Sequence, residues 1–159
     1  IDLSKIKILN QSSFKFLSYY KKYISPIKFD LIHIDGGHSK KEVSNDLNIA
    51  CKCSKKHSII ILDDIFNPSF PNVLEAYLNY KTKFYTIFLS DQKIFLSKDK
   101  IFAKKVRRII LKDNFFKKKK INFFNQDTIY LAENDENIKL NLTQKFKLLR
   151  SLFYFKYRF

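Results

Sequence analysis

Apolar positions along this chain change their period repeatedly between residues 5 and 97, and each change marks an element. Lys5-Ile6-Lys7-Ile8-Leu9 alternates polar with apolar, the pattern of a half-buried strand, and the turn-formers Asn10 to Ser13 follow it. Ser12 or Ser13 then caps a helix reaching about Ile24, with Phe16, Leu17, Tyr20 and Ile24 as its inner stripe, until Ser25-Pro26 stops it. Phe29 to Asp35 is a short apolar run, which reads as a buried strand. Ser39, with Glu42 three residues on, has the spacing of a capping box. The helix it opens buries Val43, Leu47 and Ala50 and ends near Cys53. Lys55-Lys56-His57 leads into a β-branched strand, Ile59 to Leu62, and Pro71 suits the first turn of a helix through about Lys81. Phe84 to Leu89 and Lys93 to Leu96 are strands joined tightly by Ser90-Asp91-Gln92.

Strands and helices thus alternate until the last two strands, which follow one another directly. This order predicts an α/β fold: a mostly parallel sheet with helices on both faces and an antiparallel hairpin at its end. Past Lys98 the pattern weakens. Ile101 to Leu111 is helical, Lys117 to Lys120 is a solvated basic run, Ile121 to Leu131 holds strand-like pieces, and Glu133 to Asn141 is polar. The tail from Phe146 to Phe159 mixes bulky apolar and basic residues and reads as a packing or loosely held end. The expected division is a domain over residues 1–98 and a basic helical or irregular extension over 99–159.

Both glycines of the chain, Gly36 and Gly37, are adjacent and follow Asp35 at the end of a predicted strand. In so glycine-poor a chain they point to a sharp turn or a close backbone approach. A second strand ends in the acid pair Asp63-Asp64, and open α/β sheets bind ligands at the carboxyl ends of their strands. Two strands with acids at these ends suggest one site. His33 shares a face with Asp35 but lies deeper in the strand, which reads as a packed histidine. His57 carries no candidate role.

Composition changes the picture in two ways. The 159 residues, 45% apolar, suffice for one core, and the formal charge of +16 would by itself suggest a polyanionic partner. Only Arg107, Arg108, Arg150 and Arg158 are arginine, however, and Lys without Arg reads bases poorly. The bias matches residue usage in an AT-rich genome better than nucleic-acid recognition. No signal peptide and no apolar stretch long enough to span a membrane occur, so a cytoplasmic location is the expectation. Cys51 and Cys53, two apart on a helix, face different ways and are expected as free thiols. The chain begins at Ile1 and has no methionine, as a fragment or processed piece would.

Taken together, the block from Phe29 through Ile34-Asp35-Gly36-Gly37-His38 to Ser39, the helix with Glu42 and Asp46-Leu47, the strand ending Leu62-Asp63-Asp64, and the hairpin with Lys93 to Leu96 resemble class I S-adenosylmethionine-dependent methyltransferases. The branch they resemble acts on hydroxyls of sugars and natural products. The resemblance covers about Lys5 to Ser97 and implies a Rossmann-like, seven-stranded sheet of order 3-2-1-4-5-7-6, of which this chain supplies strands three to seven. Strands one and two, with the Gly-rich cofactor loop and the ribose-binding acid, have no counterpart here, so the fold is expected to be incomplete and the chain inactive alone.

The resemblance also implies roles. Asp35, Gly36 and Gly37 would contact S-adenosylmethionine, and Gln11 would lie near the adenine. Asp35, Asp63 and Asp64 would form a metal site suited to Mg²⁺. His38 becomes the candidate general base, since histidine titrates near neutrality. The partner implied is a small-molecule hydroxyl acceptor, with no membrane span and no particular oligomer. The alternative function is a basic RNA-binding module without catalytic activity, using Lys117 to Lys120.

Overall fold

The computed structural model describes residues 8–23, 28–114 and 116–132. The expected strand over residues 5–9 and everything beyond Ala132, including the Phe146–Phe159 tail, lie largely or wholly outside these residues. Within them the elements run α1 (Ser13–Tyr23), β1 (Phe29–Ile34), α2 (Lys40–Cys53), β2 (Ser54–Leu62), α3 (Pro71–Tyr80), β3 (Tyr85–Leu89), β4 (Ile94–Ser97), α4 (Lys100–Lys112), β5 (Lys117–Phe123) and β6 (Gln126–Ala132). Most boundaries fall within two residues of those the sequence pattern predicts. The exceptions are β2, which starts at Ser54, so that Lys55, Lys56 and His57 belong to the strand, and the basic run Lys117–Lys120, which is the first half of β5.

All six strands form one sheet in the order β1-β2-β4-β3-β6-β5. β1 and β2 are parallel, β4 is antiparallel to both β2 and β3, and β6 runs parallel to β3 with β5 folded back on it. The first four positions reproduce the 4-5-7-6 order that the resemblance implies, with the hairpin strand β4 inserted between β2 and β3. The sheet is therefore mixed α/β and Rossmann-like. Its antiparallel share exceeds the pattern's expectation because the β5–β6 hairpin, read from sequence only as strand-like pieces, extends the same sheet.

Two clusters of apolar side chains lie on the sheet. One joins Val43 and Leu47 of α2 and Val73, Ala76 and Tyr77 of α3 to Ile34, Ile60 and Leu62. The other seats Ala103, Val106 and Ile110 of α4 on Ile59, Ile87, Ile129 and Leu131. Alternate residues of β2 feed the two clusters, Ile60 one and Ile59 the other, as the two-residue repeat of a strand requires. Fully burying a side chain such as Leu47 or Ile60 contributes about 1.5–3 kcal/mol. No helix among the described residues is long and apolar enough to cross a membrane, and Cys51 and Cys53 are free thiols.

The hairpin is hung on side chains as much as on the ladder. Gln126 Oε1 accepts from the Thr86 backbone N–H at 2.8 Å, while its Nε2 donates to the Phe84 and Lys81 carbonyls at 3.2 and 3.4 Å. Thr128 Oγ1 adds a bond to the Ile87 carbonyl at 3.0 Å. On the opposite side Asp99 caps α4, accepting from the Phe102 N–H at 2.7 Å. That bond, with Lys56 and His57 nearby, holds the Asp99 carboxyl below its ordinary range.

A depressed carboxyl stabilises the fold above its unfolded value and stops doing so as pH falls through the folded one. Asp99→Ala should thus lose about 0.5–2 kcal/mol at neutral pH, whereas Asp99→Asn, still a good cap, should lose less. Urea titrations repeated across pH should show that Asp99→Asn lacks part of the wild-type decline below about pH 4.

Candidate active site

The site begins with strand register. Ile34 of β1 stands beside Leu62 of β2 in a parallel pair, so both chains leave the sheet at one rim. The Asp63 N–H donates to the Ile34 carbonyl at 3.0 Å, extending the ladder by one residue and fixing Asp63 next to Asp35. Asp64 then reverses the chain in the left-handed region, at φ 57°, a conformation that short acidic side chains tolerate. Its backbone N–H is held by Asp63 Oδ1 at 2.9 Å.

Both carboxylate oxygens of Asp64 are engaged. Oδ1 accepts from Asn67 Nδ2 at 2.9 Å, and Oδ2 lies 2.9 Å from His38 Nε2. The Asn67 hydrogen bond, with help from His38, holds the Asp64 carboxyl below the usual carboxylate range. Asn67 is itself fixed in a tight turn, where its Oδ1 accepts from the Ser69 N–H at 3.0 Å and its carbonyl from the Phe70 N–H at 2.9 Å. Phe70, so placed, stacks on the His38 ring with centroids 3.7 Å apart and planes 8° from parallel. His38 is therefore fixed in plane by an aromatic ring and in rotation by a carboxylate.

Asp63 faces a different set. His33 Nε2 lies 3.4 Å from Asp63 Oδ2, and the Lys93 ammonium forms a close ion pair with the same oxygen. The His33 side chain is 44% exposed, so it is not the packed histidine that its place within the strand suggests. A parallel strand at the end of its ladder, with only β2 beside it among the described residues, leaves that face open. Three residues, His33, Asp35 and Asp63, offer ligand atoms within 4.8 Å of one another. The group that converges is thus two carboxylates and an imidazole, while Asp64, third member of the expected metal set, turns to His38 and Asn67. An imidazole with two carboxylates can hold a divalent cation, but Lys93 already sets a positive charge against Asp63.

Neither glycine adopts a positive φ, so the turn itself does not demand them. Gly37 is favoured by proximity instead. A Cβ there would come within 2.4–2.6 Å of the Glu42 carboxyl group. That carboxylate is committed to the capping box of α2, accepting from the Ser39 N–H at 3.2 Å while Ser39 Oγ receives the Glu42 N–H at 3.3 Å. The Ser39 hydroxyl is the main cause of a lowered Glu42 carboxyl pKa. Gly36, whose Cβ would stand 3.5 Å from Asp46 Oδ2, has ordinary room.

Asp35, Gly36, Gly37, His38, Asp63 and Asp64 all line one shallow, open cleft, with Ile34, Val43, Leu62 and Val73 as its apolar lining. Gln11 is not among its lining residues; it sits exposed before α1, its N–H bonded to the Leu9 carbonyl at 3.0 Å. Sequence reasoning passed over three residues that shape this cleft's chemistry. Asn67 and Phe70 gave no signal beyond a loop with two prolines, and Lys93 read only as the start of a strand.

The Rossmann-like sheet, with its reversed strand β4 and with acids at the ends of β1 and β2, has the features on which the resemblance to class I methyltransferases rests. Residues 4–65 match the family model of a methyltransferase domain, which bears out the resemblance at that level. No curated protein and no solved structure gave a match.

Gly37→Ala should displace Glu42 and weaken the capping box, costing about 0.5–2 kcal/mol in unfolding free energy. Gly36→Ala, measured alongside in the same denaturant titration, should cost much less. Equal losses would show that the turn, and not the Glu42 contact, requires glycine.

Proposed function

We propose that this chain belongs to an S-adenosylmethionine-dependent methyltransferase acting on a hydroxyl of a sugar or another small molecule. The observation that carries this reading is the His38–Asp64 pair, 2.9 Å apart at the rim where β1 and β2 end, inside the segment that matches a methyltransferase domain. Bound S-adenosylmethionine would supply an electrophilic methyl group on sulfonium. What the protein must add is a held acceptor and a place for its proton.

His38 is the base in this reading. With Nε2 directed at Asp64, Nδ1 is the nitrogen left to take the hydroxyl proton, and the Asp64 carboxylate stabilises the imidazolium that results. Phe70 keeps the ring in place during the transfer. Asp35, Gly36 and Gly37 are the candidate cofactor contacts on this chain, and Gln11 is a candidate adenine contact from outside the cleft. The cleft is shallow and open to solvent, with room for about one water molecule, which suits contact with the acceptor's hydroxyl end better than enclosure of a whole cofactor. Should Mg²⁺ take part, Asp35 and Asp63 are its candidate ligands, with His33 beside them and Lys93 as its competitor. Residues 1–98 then hold the catalytic part and 99–159 extend it. Free Cys51 and Cys53 fit a reducing cytoplasmic setting.

Calorimetric titration of the full-length protein with S-adenosylmethionine, with and without Mg²⁺, tests the reading. Asp35→Ala should weaken cofactor binding, and Asp63→Ala should abolish any Mg²⁺ dependence. His38→Ala should leave cofactor affinity unchanged while lowering methyl transfer by about 10²–10⁴-fold. Failure of the full-length protein to bind the cofactor at all would overturn the assignment.

A further inference from the structure

Positive charge is not spread evenly over this chain. Residues 100–123 hold ten lysines and arginines against one acid, Asp113, so nine of the sixteen excess charges fall in 24 residues. A genome-wide drift toward lysine would act on every segment alike, and it does not account for such concentration. These residues are α4 and β5.

Their geometry spreads the charge over a ridge and both sides of a strand. α4 spends its apolar stripe, Ala103, Val106 and Ile110, on the core and leaves Lys104, Arg108 and Lys112 exposed, one turn apart at about 6 Å along the axis. β5 is an edge strand whose one neighbour among the described residues is β6. Lys118 and Lys120 pair with Leu131 and Ile129, residues of the cluster beneath α4, so they rise on the α4 side. Lys118 Nζ bonds the Leu111 carbonyl at 3.2 Å and ties the strand to the helix. Lys119, opposite Tyr130, points to the other side. Of the acids on the α4 side, Asp127 is engaged by Asn122 at 3.1 Å and lies near Arg107.

Lysines on an edge strand guard it against pairing with other strands, but that role asks nothing of α4. A flat anionic bilayer meets one side of β5 only, and the exposed apolar residues of α4, Ile101 and Leu111, stand at its two ends with Lys104 and Arg108 between them, which leaves no continuous stripe to insert. A flexible polyanion can follow the helix ridge and bend around the strand. Aromatic rings stand where β5 ends: Phe66 and Phe124 are 39% and 42% exposed, joined through Phe123 at centroid distances of 5.7 and 4.6 Å. Exposed rings beside a basic strand are what single-stranded nucleic acids use, with phosphates on the ammonium groups and bases on the rings. We propose that α4 and β5 form a docking surface for single-stranded nucleic acid.

Fluorescence anisotropy with a labelled oligouridylate of about 16 nucleotides, read between about 50 and 200 mM salt, tests this directly. Lys104→Gln/Arg108→Gln/Lys120→Gln should make the log–log salt slope shallower by about two, since each single-strand phosphate contact contributes about 0.7. Lys15→Gln/Lys41→Gln/Lys52→Gln, which removes the same charge from exposed sites elsewhere, should change it little. Phe124→Ala should weaken binding about five-fold or more with the slope unchanged. Thermal melts check that each variant remains folded, and Lys104→Arg/Lys120→Arg, which keeps the charge, should bind as wild type does. Equal slope changes in both triple variants would reduce the surface to bulk charge and overturn the proposal. So would absence of oligonucleotide binding at the lowest salt, or loss of phosphatidylserine-vesicle binding in the first triple variant with oligonucleotide binding intact.

Discussion

Parallel pairing of β1 with β2, in the register that sets Ile34 beside Leu62, is the constraint from which the site follows. Each strand carries an acid one residue past its last paired position, and the parallel sense makes both acids emerge at the same rim. A slip of one residue would turn Ile60 and Leu62 out of their cluster and Ile59 into it, at a cost of several buried side chains at about 1.5–3 kcal/mol each. Core packing thereby enforces the placement of polar groups that the core itself never touches.

Beyond that rim the two acids of β2 part company, although they are adjacent in sequence. Asp63 continues the ladder and meets an imidazole and an ammonium from neighbouring strands, His33 on β1 and Lys93 before β4. The left-handed turn at Asp64 aims the next carboxylate at the loop and at His38. One backbone dihedral thus separates an ion-paired carboxylate from one that orients an imidazole. Two acids of the same type acquire different surroundings without any difference in burial large enough to explain it.

Much of the first four strands was legible because each was marked by a short apolar run and closed by an unambiguous stop: Gly36-Gly37, Asp63-Asp64, or Ser90-Asp91-Gln92. Ser39 and Glu42 announced α2 by their spacing, and the capping box is present. Lys117 to Lys120 concealed a strand because β5 lies at an edge, where no apolar alternation is needed for pairing. The candidate site was legible as a set of residues and not as a set of pairings. Spacing could bring Asp35, Asp63 and Asp64 to one rim, but nothing local told which oxygen Asn67 or Lys93 would claim, because those partners arrive from loops whose course depends on α3 and the β3–β4 hairpin.

Gln126 carries a consequence for how the outer hairpin comes and goes. Its carboxamide stands in for a peptide group, serving one buried main-chain donor on β3 and two carbonyls in the segment before it. β3 and β6 share only a single paired position, Leu89 with Tyr130, so there is little ladder to unzip one rung at a time. Departure of that one side chain strands three peptide groups at once and draws Ile129 and Leu131 out of the cluster they share with α4, so the hairpin is lost in one cooperative step rather than by fraying from its end.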